Sequence, residues 1–376
     1  MQSITNYWNN LRNNPYEPVW SQLHIDLFLL FVLTILISMG LVILYSAANH
    51  DLDMLERQAI RIGMAAVAMV LIAQIPPAKL QMWAPWVFSF GVFLLLVVLV
   101  MGHIGKGAQR WLSLGLLKFQ PSEIMKLALP LMLAWYYSEK HLPPNKSTLF
   151  IASLIIIIPA ILTAKQPDLG TAVLISAAGA CVLLLSGISW WLILTVITSA
   201  AASAPLLWHF LHDYQRQRVL TFLNPERDPL STGYHIIQSK IAIGSGGIFG
   251  KGWLQGTQSH LQFLPEHATD FIFAVCGEEF GLVGGCALLL VYIMLIARGL
   301  YIAMQAQNTF SRLLAGSITL TLFISVYINI GMVTGILPVV GVPLPLISYG
   351  GTSIIMIMIG MGILMSIHTH RKLVSS

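Results

Sequence analysis

Three long stretches of this chain carry no Asp, Glu, Lys or Arg: Leu27–Ala48, the residues between Asp168 and Asp213, and Leu313–His370. A backbone that enters lipid must satisfy its own hydrogen bonds, so uncharged runs of this length fold as spanning helices. The runs are continuous and do not alternate, which excludes a membrane barrel. Charged residues make up 9% of the chain and hydrophobic ones 56%, far from the roughly 25% charge of a soluble domain. The remaining charge is concentrated. Asp213, Arg216, Arg218, Glu226, Arg227, Asp228, Lys240, Lys251, Glu266 and Asp270 all fall in one segment of 212–271. Such a wet segment in an otherwise apolar chain is expected to cover an active site, with Asp270 as its central acid.

The reading is an all-α polytopic membrane protein of about ten transmembrane helices, with one large extracytoplasmic loop between helices seven and eight. The first helix is Leu27–Ala48, too long for a signal-peptide core. Helix two is Ile62–Pro76, with an extension back through Arg57 left open, and helix three is Trp83–Gly102, with Trp83 and Trp86 as interfacial anchors. A basic loop over 106–118 precedes helix four, which starts at PSEIMK (121–126); helix five is Ser147–Ala164. Two crossings follow Asp168, turning near Gly187–Trp190. Helix eight runs from Asp270 or Phe280 to Ala303, and a Pro/Gly-rich connector at 337–351 divides helices nine and ten. The divisions are a cytoplasmic tail (1–26), helices one to seven (27–211), a periplasmic loop (212–269), helices eight to ten (270–368) and a cytoplasmic tail (369–376). An even count puts both termini on one side. Short loops there carry Lys79, Lys140, Lys146, Arg298 and Arg312, which places that side in the cytoplasm.

Parity then gathers the polar residues. Helices four, six, eight and ten all start on the outer face, and those starts hold Glu123 and Lys126, then Asp168, then Asp270, then Ser348 and Thr352 beside Gly350–Gly351. Charges at membrane depth cost about 2.5–3.5 kcal/mol unless paired or wet, and clustered helix N-termini favour anions. Plainer roles compete. Asp168 can be an N-cap, Glu123 and Lys126 a self-neutralising i,i+3 pair, and Glu278 with Glu279 a structural pair near the headgroups. Glycines 277, 281 and 285 read as a helix-packing face. Residues 234–244 form a short amphipathic helix on the membrane surface, with Lys240 as anchor or substrate contact. The run GSGGIFGKG fails the nucleotide-loop pattern, with Ser245 and Gly252 in the wrong places. Cys181, Cys276 and Cys286 have no metal or disulfide spacing, and the histidines of the loop give no metal pattern.

The runs DYQRQRVLTFLNPERDPLSTGYHIIQSKIAIGSGG, GKGWLQGTQS, LQFLPEHATDFIFAV and LPLISYGGTS closely resemble the SEDS family (shape, elongation, division and sporulation) of bacterial membrane proteins. VGVPLPLISYGG, FQPSEIMK and QPDLGT look more like its elongation branch than its division branch. The resemblance spans about residues 25–372. It implies a peptidoglycan glycosyltransferase of the bacterial inner membrane that polymerises lipid II and pairs with a class B penicillin-binding protein transpeptidase; no nucleic acid partner is implied. The family's essential acid in TDFIF falls on Asp270, and its cavity residues fall on Glu123, Lys126 and Asp168. The family often has His directly before the TD pair; here that position is Ala268, and His267 precedes it. The expected mechanism has Asp270 as general base, with Arg216, Arg218, Lys240 or Lys126 stabilising the undecaprenyl pyrophosphate leaving group. No tightly bound cofactor is expected, and a divalent cation (Mg or Mn) is a candidate. Two other classes fit part of the pattern: a lipid II flippase, and a non-catalytic scaffold of the cell-wall synthase.

Overall fold

The computed structural model describes residues 23–371 apart from 50, 106–107, 115–116, 211–215, 217–219, 223–231 and 258–265. Eleven helices are assigned among the described residues: α1 Leu27–Ala47, α2 Leu52–Ala73, α3 Pro77–Met101, α4 Pro121–Ser138, α5 Lys146–Lys165, α6 Leu169–Leu185, α7 Trp190–Phe210, α8 Thr232–Gly246, α9 Ile272–Met304, α10 Thr309–Val333 and α11 Thr352–Thr369. Ten of these helices, α1–α7 and α9–α11, lie in the regions where the ten crossings are expected. Six of these (α1, α3, α5, α9, α10 and α11) are long and apolar enough to span a bilayer, and α6 is a shorter apolar helix.

Helix α10 is the central element, touching α4, α6, α8, α9 and α11. Its interior is rich in hydroxyls, which are satisfied without leaving the helix. Ser317, Thr319, Thr321 and Ser325 each donate to a carbonyl three or four residues back. Around it, α2 pairs with α11, α3 with α4, and α1 with α9. Close approach is bought by small residues. A Cβ on Gly362 of α11 would lie 2.5 Å from the Met69 carbonyl of α2, and one on Gly179 would lie 2.6 Å from Ile156.

Three features differ from the sequence reading. Helix α2 begins at Leu52 rather than Ile62, because Asp51 caps it by accepting from the amides of Asp53 and Met54 at 3.0 and 3.2 Å. The basic loop contains a small antiparallel sheet of β1 His103–Gly105, β2 Ala108–Leu114 and β3 Leu117–Phe119, which leaves the all-α body unchanged. The predicted surface helix is α8, and it is docked into the bundle. Ser239 Oγ donates to the Val333 carbonyl at 2.8 Å, and a Cβ on Gly246 would strike the Gly277 carbonyl at 2.0 Å.

The glycine series in α9 serves this docking. Gly277 faces Ile243 of α8, while Gly281 has φ +63, which breaks the helix at a conformation favouring glycine. The broken turn is repaired by the following loop: Lys251 N and Gly252 N donate to the carbonyls of Glu278 and Glu279, both at 3.0 Å, and Leu282 N and Val283 N donate to Gly247 and Ile248 at 3.0 and 3.1 Å. Gly277 is thus a helix-packing glycine, as its spacing suggests, while Gly281 admits the backbone of the following loop. Glu278 is buried and accepts from Lys251 Nζ at 2.6 Å and Thr257 N at 2.8 Å, and Glu279 accepts from the Ser46 hydroxyl of α1. Both are buried and bonded to separate partners within the protein.

At the end away from this loop the two extremities of the described chain meet. Arg298 of α9 donates to Asp26 Oδ2 at 2.7 and 3.0 Å, and approaches His368 at 3.1 Å. His24 and His370 stack at 3.8 Å. Burial holds both of these imidazoles below their ordinary range, and for His24 the neighbouring His370 adds to the shift. A depressed folded value means the contact is intact above the free imidazole's pKa of about 6.5 and is lost as pH falls through the folded values. Hydrogen exchange, corrected for its intrinsic pH dependence, is therefore expected to rise around 23–27 and 366–371 between about pH 7 and pH 5 and to stay flat in His24→Phe/His370→Phe. Unchanged protection across that range would show that the stack is not linked to protons.

Candidate active site

At the other end of the bundle, α4, α6, α11 and the segment before α9 enclose a cleft of about 300 Å³. It is lined by Glu123, Lys126, Asp168 and Asp270, so four of the residues selected from sequence meet in one place. Each comes from a different polar helix start, except Glu123 and Lys126, which share α4.

The local sequence explains the convergence. Pro121 opens α4, and Glu123 and Lys126 follow on one face, bonded at 2.7 Å. Asp168 caps α6, accepting from Thr171 N at 3.2 Å, and also takes a hydrogen bond from Gln120 Nε2 at 2.9 Å. The N-cap reading of Asp168 and the ion-pair reading of Glu123–Lys126 are thus both correct, and neither removes the residue from the cleft. Gln120 ties the start of α4 to the start of α6.

Asp270 is placed by its backbone. Asn329 Nδ2 of α10 donates to the Asp270 carbonyl at 2.9 Å and to the Val342 carbonyl at 2.7 Å. Ser348 Oγ donates to the Thr269 carbonyl at 2.6 Å and accepts from Leu344 N at 2.7 Å. Tyr349 N donates to the Ala268 carbonyl at 2.9 Å. The connector 337–351 is laced to residues 268–270 by these bonds. Gly341 of the connector has φ +74, and a Cβ there would lie 3.3 Å from Asp270 Oδ2. Only glycine leaves that face of the carboxylate open without backbone strain.

The basic residues divide differently. Lys126 lines the cleft. Lys240, on α8, packs over Gly335 beyond the end of α10, and Arg216 donates through Nε to the Trp208 carbonyl at 3.0 Å; neither lines the cleft. Arg218 lies outside the described residues. Sequence reasoning missed Trp111 of β2, Gln120, Glu266 and Tyr349, all of which line the cleft. Glu266 sits at φ +59 and accepts from Thr269 Oγ1 at 2.8 Å. His235 of α8 packs against Phe271 at 5.8 Å; burial lowers its pKa, and Glu266 opposes that shift. Among the described residues, no three His, Cys, Asp or Glu side chains converge as a metal cluster.

From Glu123 and Lys126 the cleft continues into a narrow, mainly apolar groove of about 60 Å³ between α4, α10 and α11, walled by Leu127, Ile318, Leu322, Met356, Ile357 and Met361. A polar chamber at helix ends thus adjoins a mainly apolar groove.

Comparison with known proteins places this architecture. The family model of FtsW, RodA and SpoVE, described as cell cycle proteins, matches residues 24–373. The peptidoglycan glycosyltransferase MrdB of Escherichia coli K12 is 54% identical over 367 residues, 97% of this chain and 99% of that protein. RodA of Thermus thermophilus, a rod shape determining protein, superposes with a TM-score of 0.71 at 28% identity, covering 92% of this chain and 98% of that one. A chain from a peptidoglycan synthase complex, solved for the coordination of polymerization and crosslinking, superposes at 0.82 with 31% identity, covering 92% and 99%.

The lacing makes a stability prediction. Asn329→Leu leaves two carbonyls without their donor, each worth about 1–3 kcal/mol when buried. A drop in Tm of the purified protein in detergent is expected, and an unaltered Tm would show that the carbonyls find other donors.

Proposed function

The chain belongs to the FtsW, RodA and SpoVE family, whose members include peptidoglycan glycosyltransferases, and on that footing we propose that it polymerises lipid II with Asp270 as the base. The observation behind this reading is the meeting of Asp270, Glu123, Lys126 and Asp168 in one cleft that runs on into an apolar groove. A disaccharide on a polyprenyl diphosphate needs both: a wet chamber for the sugars and a dry channel for the tail.

Converting an α-linked glycosyl diphosphate to a β-linked glycan takes one in-line displacement. The acceptor hydroxyl attacks the anomeric carbon and gives its proton to the Asp270 carboxylate as the C–O bond to the diphosphate breaks. The diphosphate leaves as an anion, so the leaving group needs cations rather than a strong acid. Lys126 is positioned for that role, held in the cleft by Glu123. Asp168 serves by fixing the starts of α6 and α4 through Thr171 and Gln120. A divalent cation, if bound, would be held by cleft carboxylates such as Asp270 or Glu266 and would supply positive charge to stabilise the departing diphosphate.

The gathering of Glu123, Lys126, Asp168 and Asp270 at one end of the bundle favours a transferase over a flippase, which needs polar groups near the membrane midplane. The same reading puts the cleft on the periplasmic face of the inner membrane and both termini in the cytoplasm. Lys79, Lys140, Lys146, Arg298 and Arg312 support it by falling in the loops or helix ends away from the cleft. Likeness to a chain of a peptidoglycan synthase complex supports pairing with a crosslinking penicillin-binding protein of class B.

The test is polymerisation of labelled lipid II by purified protein, with the partner and a divalent cation present. Asp270→Asn is expected to lose ~10²–10⁴-fold in rate while keeping its fold; an unimpaired product ladder would move the chemistry off Asp270. Lys126→Ala leaves Glu123 unpaired and is expected to lower both Tm and activity. Gly341→Val presses on Asp270 and is expected to slow turnover at least ~10-fold, since it also forces a β-branched residue to positive φ.

A further inference from the structure

We infer that Arg61 is a substrate-binding residue, whose guanidinium takes the diphosphate of the lipid-linked substrate at the rim of the cleft. The inference rests on the proposed reading of the cleft and supplies a cation that reading needs. Of the cations described at the rim, Lys126 is bonded to Glu123, and Arg61 is bonded to no carboxylate among the described residues. Lys240 and Arg216, candidates from sequence, are engaged elsewhere.

Arg61 is half-buried on α2. Its guanidinium carbon lies 4.6 Å from the centroid of the Tyr349 ring, and a Cβ on Gly351 would lie 3.9 Å from its Nε. Tyr349, Gly350 and Gly351 all line the cleft. The position is rigid. One turn earlier, Gln58 is buried, donates to the Ser348 carbonyl at 3.2 Å and accepts from Gly350 N at 3.4 Å. Two turns further on, the Met69 carbonyl is pressed against Gly362 of α11. Helix α2 therefore holds Arg61 level with the connector.

Depth points to the same ligand. Asp53, Glu56, Arg57 and Arg61 mark the first half of α2, and Ile62–Ala73 has no charge. Arg61 is thus the last charge before the hydrocarbon. A polyprenyl diphosphate whose tail lies in the bilayer presents its phosphates at that level. A guanidinium seated over a ring, as that of Arg61 is over Tyr349, can offer its N–H edges to phosphate oxygens in a bidentate geometry that lysine cannot reproduce. Anionic phospholipid headgroups offer related chemistry at the same depth, so the test must separate the two sources.

Purified wild type, Arg61→Gln and Arg61→Lys, with partner, are titrated with lipid II in phosphatidylcholine vesicles with and without phosphatidylglycerol. Arg61→Gln is expected to raise KM about tenfold, the scale of one charge-assisted contact, with kcat within about twofold. Arg61→Lys should fall between. Inhibition by undecaprenyl pyrophosphate should weaken by the same factor, in both vesicle types. An unchanged KM overturns the inference. So does a fall in kcat alone, which would make Arg61 a prop for Tyr349, and so does a shift confined to phosphatidylglycerol vesicles, which would make membrane lipid its ligand. Binding of undecaprenyl pyrophosphate, read by thermal shift without turnover, decides Arg61 separately. Wild type that binds it more tightly than Arg61→Gln yet forms no polymer would sustain the Arg61 site and sink the transferase reading.

Discussion

The side chain of Asn329 holds together the two halves of the cleft. One buried amide nitrogen on the central helix reaches the carbonyl of Asp270 on one side and that of Val342 on the other. Neither carbonyl belongs to a regular helix, and in a membrane protein such groups have few alternatives. Ser348 and the Tyr349 amide extend the arrangement, so the acid and the glycine-rich connector form one unit. The carboxylate of Asp270 is thereby left facing the cleft while its backbone does the anchoring.

The same constraint explains the kink in α9. A helix broken at Gly281 would leave amides and carbonyls without partners. The 247–252 backbone supplies them, and the buried Glu278 then fastens that loop through Lys251 and Thr257. A loop that looks wet in sequence is in part a backbone splint. Its glycines are needed for contact: Cβ atoms on Gly246 or Gly250 would overlap α9 carbonyl oxygens at 2.0 and 2.1 Å.

Charge is segregated to the two ends of the bundle. One end holds Asp26, Arg298 and the histidines, the other the cleft carboxylates, Lys126 and Arg61, with α11 of 18 residues, about 27 Å, between them. The first ties the extremities of the chain together by ion pairs and ring stacking. The second is built around an opening, and its polar groups are bonded to one another along the walls of the cleft.

The amino-acid sequence by itself determined the membrane class, the order of the helices and the shared end at which Glu123, Lys126, Asp168 and Asp270 meet. Uncharged runs set depth, and chain parity sets the side, so residues at helix starts on one face are legible without coordinates. Lateral position is not. Hydrophobic patterning along a lipid-soluble helix hardly distinguishes the face towards lipid from the face towards a neighbour, because both are apolar. Only the tertiary structure therefore decided that Lys240 and Arg216 sit off the cleft, that Arg61 stands beside Tyr349, that Asn329 bridges two loops, and that glycines 277 and 281 receive α8 and its following loop. Each of these depends on which helices are neighbours, and that is fixed by side-chain fit across the whole bundle rather than by any local stretch of the chain.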